Sequence, residues 1–222
     1  MCSSNSIFSG IVSTNTMRTQ WFVHGALAVW ACLMIVIGAS LMVSHWVPLP
    51  RPAVDDAAWS ANLADIRTDP ASGRWAVLHF LYTDCPCSRR VLEHVIEQPP
   101  HDGVTERIVL IGGDAALTTR AEQQGYKVDS ILPDDLKSKY GVEAAPLLVV
   151  SDPDGIPRYA GGYTSRKQGP DFQDRHIIAD LMAGYDVKPL PLYGCAVSRR
   201  LQGIVDPLGL KSNKYSSSSL NK

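Results

Sequence analysis

The sequence has no strongly basic stretch: 21 Lys and Arg against 22 Asp and Glu leave a formal net charge of -1. Nucleic-acid binding needs clustered Lys and Arg to follow the phosphates, so no nucleic-acid partner is expected. Five cysteines are too few to staple a disulfide-held mini-domain, and their placement matters more than their number. No phosphate-cradling loop, Ser-His-Asp constellation or catalytic carboxylate pair stands out, and there is no internal repeat. Asp134 and Asp135 open a helical pattern, where acids are favourable and need no catalytic purpose. The most informative absence is local: residues 21–50 contain no Asp, Glu, Lys or Arg.

That uncharged run has its apolar core at residues 26–43, and about 20 such residues cross the hydrocarbon layer as a helix. A buried globular helix is rarely apolar on every face for so long. A cleaved signal has a shorter apolar region and a small-residue cleavage site. Here the run ends in bulky His45, Trp46 and Val47, which favours a retained signal anchor. Arg18 precedes the run, while Arg51 follows it and is soon joined by Asp55 and Asp56. This places the N-terminus inside and the domain outside. Met17-Arg18 would also make a normal start for such an anchor, in which case Cys2 carries no meaning. The expected division is a leader at 1–20, a transmembrane anchor at 21–47, a linker at 48–54, a folded domain at 55–200 and a largely disordered tail at 201–222.

Within the domain the pattern alternates. Residues 55–66 suggest a short helix, and Trp75–Tyr82 reads as a buried central strand. Residues 88–98 form a helix with Val91, Leu92, Val95 and Ile96 on one face, stopped by Pro99-Pro100. A strand at 107–111 and helices at 115–124 and 133–140 follow. Two strands, at 147–150 and 158–160, flank the turn Asp152-Pro153-Asp154-Gly155, and a helix at 172–183 closes the unit. Such alternation gives a three-layer α/β domain.

Cys85-Pro86-Cys87 sits where the first strand hands over to a helix. Unpaired N–H groups and the helix dipole there favour a thiolate, the nucleophilic form. Arg89 and Arg90 add positive potential and Asp84 opposes it, so both thiols are expected to ionise more readily than usual. Geometry at the helix start favours Cys85 as the solvent-facing, attacking thiol. A Cys85–Cys87 disulfide would be tight, and strained bridges are the more oxidising ones.

The strand, the Cys-containing turn and the helix resemble the first βα unit of the thioredoxin superfamily. Val142-Glu143-Ala144-Ala145-Pro146, followed by a strand, a turn and a second strand, resembles that family's cis-proline segment. Together they cover residues 75–183. More narrowly, Cys85-Pro86-Cys87-Ser88-Arg89, Gly161-Gly162-Tyr163-Thr164 with Arg166, and Gly194-Cys195 resemble a bacterial group labelled RedB-like. The resemblance implies a thioredoxin-like three-layer domain and a thiol-disulfide oxidoreductase acting on partner protein thiols or disulfides. Cys85 and Cys87 would be catalytic, and Pro86, Ala145 and cis-Pro146 would dock the substrate chain. No cofactor is implied. With the apolar helix, it implies a single-pass protein of a bacterial inner membrane, its domain on the periplasmic side.

The spacing departs from the family's Cys-x-x-Cys. Ser88 can stand where the resolving thiol would be, or Pro86-Cys87 can match the family's Pro-Cys. Cys195 is either a third redox partner or a buried free thiol. Two other functions stay open: copper delivery through Cys85, Cys87 and His176, with Cys195 as another candidate ligand, and a non-catalytic interaction domain with a static bridge. His79 reads as a plain strand residue, and His94 and His101 as solvated positions.

Overall fold

The computed structural model describes residues 9–46, 48–64, 66, 73–167 and 169–206. It divides into two units, Met1–Val47 and Pro48–Lys222. Cys2 and the tail beyond Asp206 lie outside the described residues, as does any expectation of disorder there.

The first unit is one helix, α1 (Ser9–Trp46). It begins well before the expected start at 21, because nothing in the leader from Ser9 onward carries the proline that would break it. Its segment Gln20–Ala39 is long and apolar enough to cross a membrane, and all its side chains are exposed.

The second unit is built on β1 (Trp75–Tyr82), a run of buried residues at the centre of a five-stranded sheet. β2 (Val104–Ile111) lies parallel to it, with Phe80 opposite Val109, and β3 (Lys127–Ile131) is parallel to β2. On the other side β5 (Leu147–Ser151) runs antiparallel, with Phe80 opposite Leu147, followed by β6 (Pro157–Gly161). The strand order is β3-β2-β1-β5-β6. A separate two-residue ladder joins β4 (Ala144–Ala145) to β7 (Cys195–Ala196).

Period-two alternation along β1 feeds two cores. Leu78 and Phe80 face Trp59, Leu136, Tyr140 and Leu201, from α2 (Ala57–Asn62), α5 (Pro133–Tyr140) and α7 (Arg199–Val205). Val77 and Leu81 face Val91, Ala121 and Ile178, from α3 (Pro86–Ile96), α4 (Ala115–Gln123) and α6 (Asp174–Met182). Asp56 and Asp114 cap α2 and α4 by accepting from backbone N–H groups. Trp59 Nε1 donates to the Tyr140 carbonyl at 3.0 Å, tying α2 to α5. Helices on both faces of a mixed sheet, with a cis Ala145–Pro146 bond ahead of β5, make this a thioredoxin-like three-layer α/β fold.

Three expectations need correction. Residues 48–54 are no free linker: the Leu49 N–H donates to Leu192 at 2.8 Å and Val54 packs on the core. β3 has no counterpart in the sequence reading, because KVDSI is a half-exposed edge strand without an apolar run. The boundary at 200 falls inside α7, which buries Leu201 and is capped by Ser198.

Candidate active site

The site forms at the end of β1. The Thr83 N–H and hydroxyl both donate to the Ile111 carbonyl, at 2.9 and 3.0 Å, fastening the turn to β2. Cys85 N–H donates back to Tyr82 O at 3.0 Å, leaving Cys85 extended (φ -94°, ψ 118°) as the N-cap of α3. Pro86 takes the first helical position, where its missing N–H is not needed, and is exposed. Cys87 follows on the first turn.

Burial reverses the expected exposure of the two thiols. Cys85 is fully buried (0% exposed), whereas Cys87 is half-buried. Cys87 lines a small cavity with Pro146, Tyr163, Phe172 and Tyr193. The solvent-facing thiol is therefore Cys87, because the helix start turns Cys85 inward under the ladder of β4 and β7. Ala145 is buried in that ladder, directly opposite Cys195. Gly194 makes the approach possible: a Cβ there would lie 2.0 Å from Ala145 O and 2.5 Å from Pro146 Cδ. Cys195, standing opposite Ala145 in the ladder, lies close enough to Cys85 to raise its thiol. Cys85 thus interacts with both of the other thiols, Cys195 and Cys87.

The expected easy ionisation is not met. Contact with Cys195 pushes the Cys85 thiol up to about 11, with burial adding to the rise and the Cys87 thiol and Ser88 N–H opposing it. The contact with Cys85, together with burial, raises Cys87 well above the ordinary thiol range, against the weaker pull of Lys167 and Arg90. Clustered thiols cannot all ionise, and burial disfavours each thiolate. Of the two arginines, only Arg90 acts on Cys87; it also donates to Gly169 O at 3.2 Å and lies over the Phe172 ring. Arg89 instead donates to Thr83 O and pairs with Asp114 at 3.8 Å. Tyr82 is raised to about 12 by burial, then by Asp84, Cys195 and Cys85.

Other expected residues fall elsewhere. His176 is exposed on α6, and among the described residues no three His, Cys, Asp or Glu side chains are placed to hold a metal ion. The copper ligand set Cys85, Cys87 and His176 is thus not brought together. His79 is more than a strand residue: fully buried, its Nδ1 bonds the Tyr163 hydroxyl at 2.9 Å and its Nε2 faces Glu106 at 3.5 Å. Burial alone would raise Glu106, yet His79 holds its carboxyl below the usual range. His94 is not simply solvated, since it bonds Asp174 at 2.9 Å and stacks on Phe172 at 4.0 Å. Gly161 and Gly162 permit close approach of the chain, for a Cβ on Gly162 would lie 2.1 Å from Pro191 O.

No family model matches the chain, and no curated protein matches it. Solved structures give distant likenesses. A hypothetical protein, SMc02350 from Sinorhizobium meliloti 1021, is 15% identical with a TM-score of 0.42, over 69% of this chain and 91% of that one. A putative thioredoxin from Neisseria meningitidis is 16% identical with a TM-score of 0.39, over 52% and 78%. The MTB dsbF protein, solved in mixed oxidized and reduced forms, is 17% identical with a TM-score of 0.35, over 50% and 81%. All three scores are below 0.5.

Proposed function

We propose that the chain is a membrane-anchored extracytoplasmic thiol-disulfide oxidoreductase whose working thiols are Cys87 and Cys85. One observation carries this reading: Cys87 opens into a cavity walled by cis-Pro146, with Cys85 in contact behind it. A thiol that meets a partner must be reachable, and a thiol that resolves the mixed disulfide must lie within reach of the first. Cys87 meets the first condition and Cys85 the second. Cys87 attacks a partner disulfide, or in the reverse direction a partner thiolate attacks the oxidised pair. The segment at Ala145 and Pro146 docks the partner chain. Anchoring rests on the apolar segment Gln20–Ala39, and the periplasmic side of a bacterial inner membrane rests on the charge asymmetry around it.

The raised thiol values bear on direction. A strong oxidant owes part of its potential to a stabilised thiolate, and at Cys85 the thiolate is on balance disfavoured. The tightness of a Cys85–Cys87 bridge remains the only reason for an oxidising potential.

The test is an equilibrium titration of the detergent-solubilised full chain in glutathione buffers, trapping free thiols by alkylation. A reversible two-electron transition, abolished in Cys85→Ser, is expected. A protein that stays fully oxidised or fully reduced across the whole range would end the oxidoreductase reading.

A further inference from the structure

We propose that Cys85 is a shared sulfur, bridged to Cys87 while a partner disulfide is being resolved and to Cys195 in the resting oxidised protein. This rests on the oxidoreductase reading and deepens it by assigning the third thiol.

The geometry comes from the C-terminal segment. β7 pairs with β4 so that Cys195 stands opposite Ala145, the residue before cis-Pro146. Gly194 lets that strand lie against the Ala145 carbonyl and the Pro146 ring. Val197 N–H and Ser198 N–H donate to Glu143 O at 2.8 and 3.2 Å, and Arg200 and Ser198 bind the Glu143 carboxylate. Before Cys195, the Leu192 carbonyl accepts from the Leu49 N–H at 2.8 Å, so the segment is held on both sides of it. The Cys195 thiol lies close to Cys85, while Cys87 lines the cavity beside Pro146.

The two bridges differ in how they close. Cys85–Cys87 spans a single residue, Pro86, whose φ is fixed, and joins an extended N-cap to a helical residue. Disulfide geometry is narrow, and such a short closure conflicts with it. Cys85–Cys195 joins two segments already in contact and closes a long loop, which constrains the unfolded chain more. The second bridge is the more stable.

The sequence of steps balances. The Cys87 thiolate attacks one sulfur of a partner disulfide; that S–S bond breaks, a Cys87–partner bond forms, and the partner's other sulfur leaves as thiolate. Cys85, its proton lost to solvent, attacks Cys87 Sγ and releases the partner's second sulfur. The partner has gained two electrons and the protein holds Cys85–Cys87. Cys195, deprotonated in turn, attacks Cys85 Sγ; the Cys85–Cys87 bond breaks and Cys87 leaves as thiolate, taking up a proton. No net electrons move in this last exchange, and Cys87 returns to the cavity as a free thiol.

The experiment uses the full chain in detergent, oxidised with oxidised glutathione, blocked with N-ethylmaleimide and digested without reductant for peptide mapping. The expected product links Cys85 to Cys195, with Cys87 blocked. In glutathione titrations Cys87→Ser keeps a two-electron transition, Cys85→Ser loses it, and Cys195→Ser moves the midpoint about tenfold or more toward the oxidising side. A Cys85–Cys87 link with Cys195 blocked, together with a Cys195→Ser midpoint equal to wild type, would overturn the proposal while leaving the oxidoreductase reading intact. A wild-type chain that does not titrate at all would overturn both.

Discussion

Replacing Glu143 with Gln should loosen the segment that presents Cys195, and the size of the effect follows from the carboxylate's partners. Glu143 accepts from Ser198 Oγ at 3.1 Å, from Arg200 Nε at 3.1 Å and from Lys137 Nζ at 2.6 Å. Arg200 first, then Lys137 and Ser198, bring its carboxyl from 4.5 to about 2. At ~1.4 kcal/mol per pH unit this is a ceiling of about 3 kcal/mol. The Arg200 and Lys137 side chains are 58% and 49% exposed, so solvent screening reduces it to about 1–2 kcal/mol. A depressed carboxylate contributes its stability above its unfolded pKa and loses it as pH falls through the folded one. The wild type should therefore outlast Glu143→Gln at pH 7, and the gap should close between pH 4.5 and about 2. Thermal melting of the full chain in detergent measures this, with a difference of about 3–6 °C at pH 7. Maleimide should label Cys195 faster in the reduced variant. Equal melting at pH 7, or an undiminished gap near pH 2, would refute the anchoring role of Glu143.

Gly194→Ala forces a Cβ to 2.0 Å from Ala145 O, so β7 must shift; a loss of about 1–3 kcal/mol and faster maleimide labelling of Cys195 are expected by denaturant melt and mass spectrometry. Iodoacetamide should label Cys87 far faster than Cys85, and its rate should keep climbing above pH 9 because the thiol is raised; a plateau near pH 7 would contradict that raised thiol. His79→Leu strands the Glu106 carboxylate and the Tyr163 hydroxyl in the core and should cost about 3–5 kcal/mol. Adding Glu106→Leu should recover part of that loss, and additive losses would show the pair is not coupled.

Much of the fold was legible because its central elements carry strong patterns. Trp75–Tyr82 is a largely apolar run bounded by polar residues, and α5 has Pro133 at its start and Gly141, with positive φ, at its end. β3 was not legible, since an edge strand with one face exposed needs no apolar run. The ladder of β4 and β7 could not be found locally either, because two residues per strand give no periodicity and their pairing spans the domain. Cys85 and Cys87 stand together in the sequence, so their proximity was visible. Which one faces solvent was not, for that depends on a strand some hundred residues later covering Cys85.

That late covering strand also explains why the thiols depart from the expected ionisation. A helix N-terminus lowers a thiol's pKa when the sulfur is open to its N–H groups and to water. Here the Ser88 N–H faces Cys85, but contact with Cys195 and burial together outweigh the Ser88 N–H and the Cys87 thiol. The same enclosure that makes Cys85 a poor nucleophile toward solvent places it within reach of both Cys87 and Cys195. Activation is then a matter of proximity rather than of a standing thiolate. When Cys87 is drawn into a mixed disulfide its thiol no longer donates to Cys85, and a contact that favoured the Cys85 thiolate is lost. Release of a partner therefore rests on the placement of Cys85 behind Cys87, not on any easing of its ionisation when the partner engages.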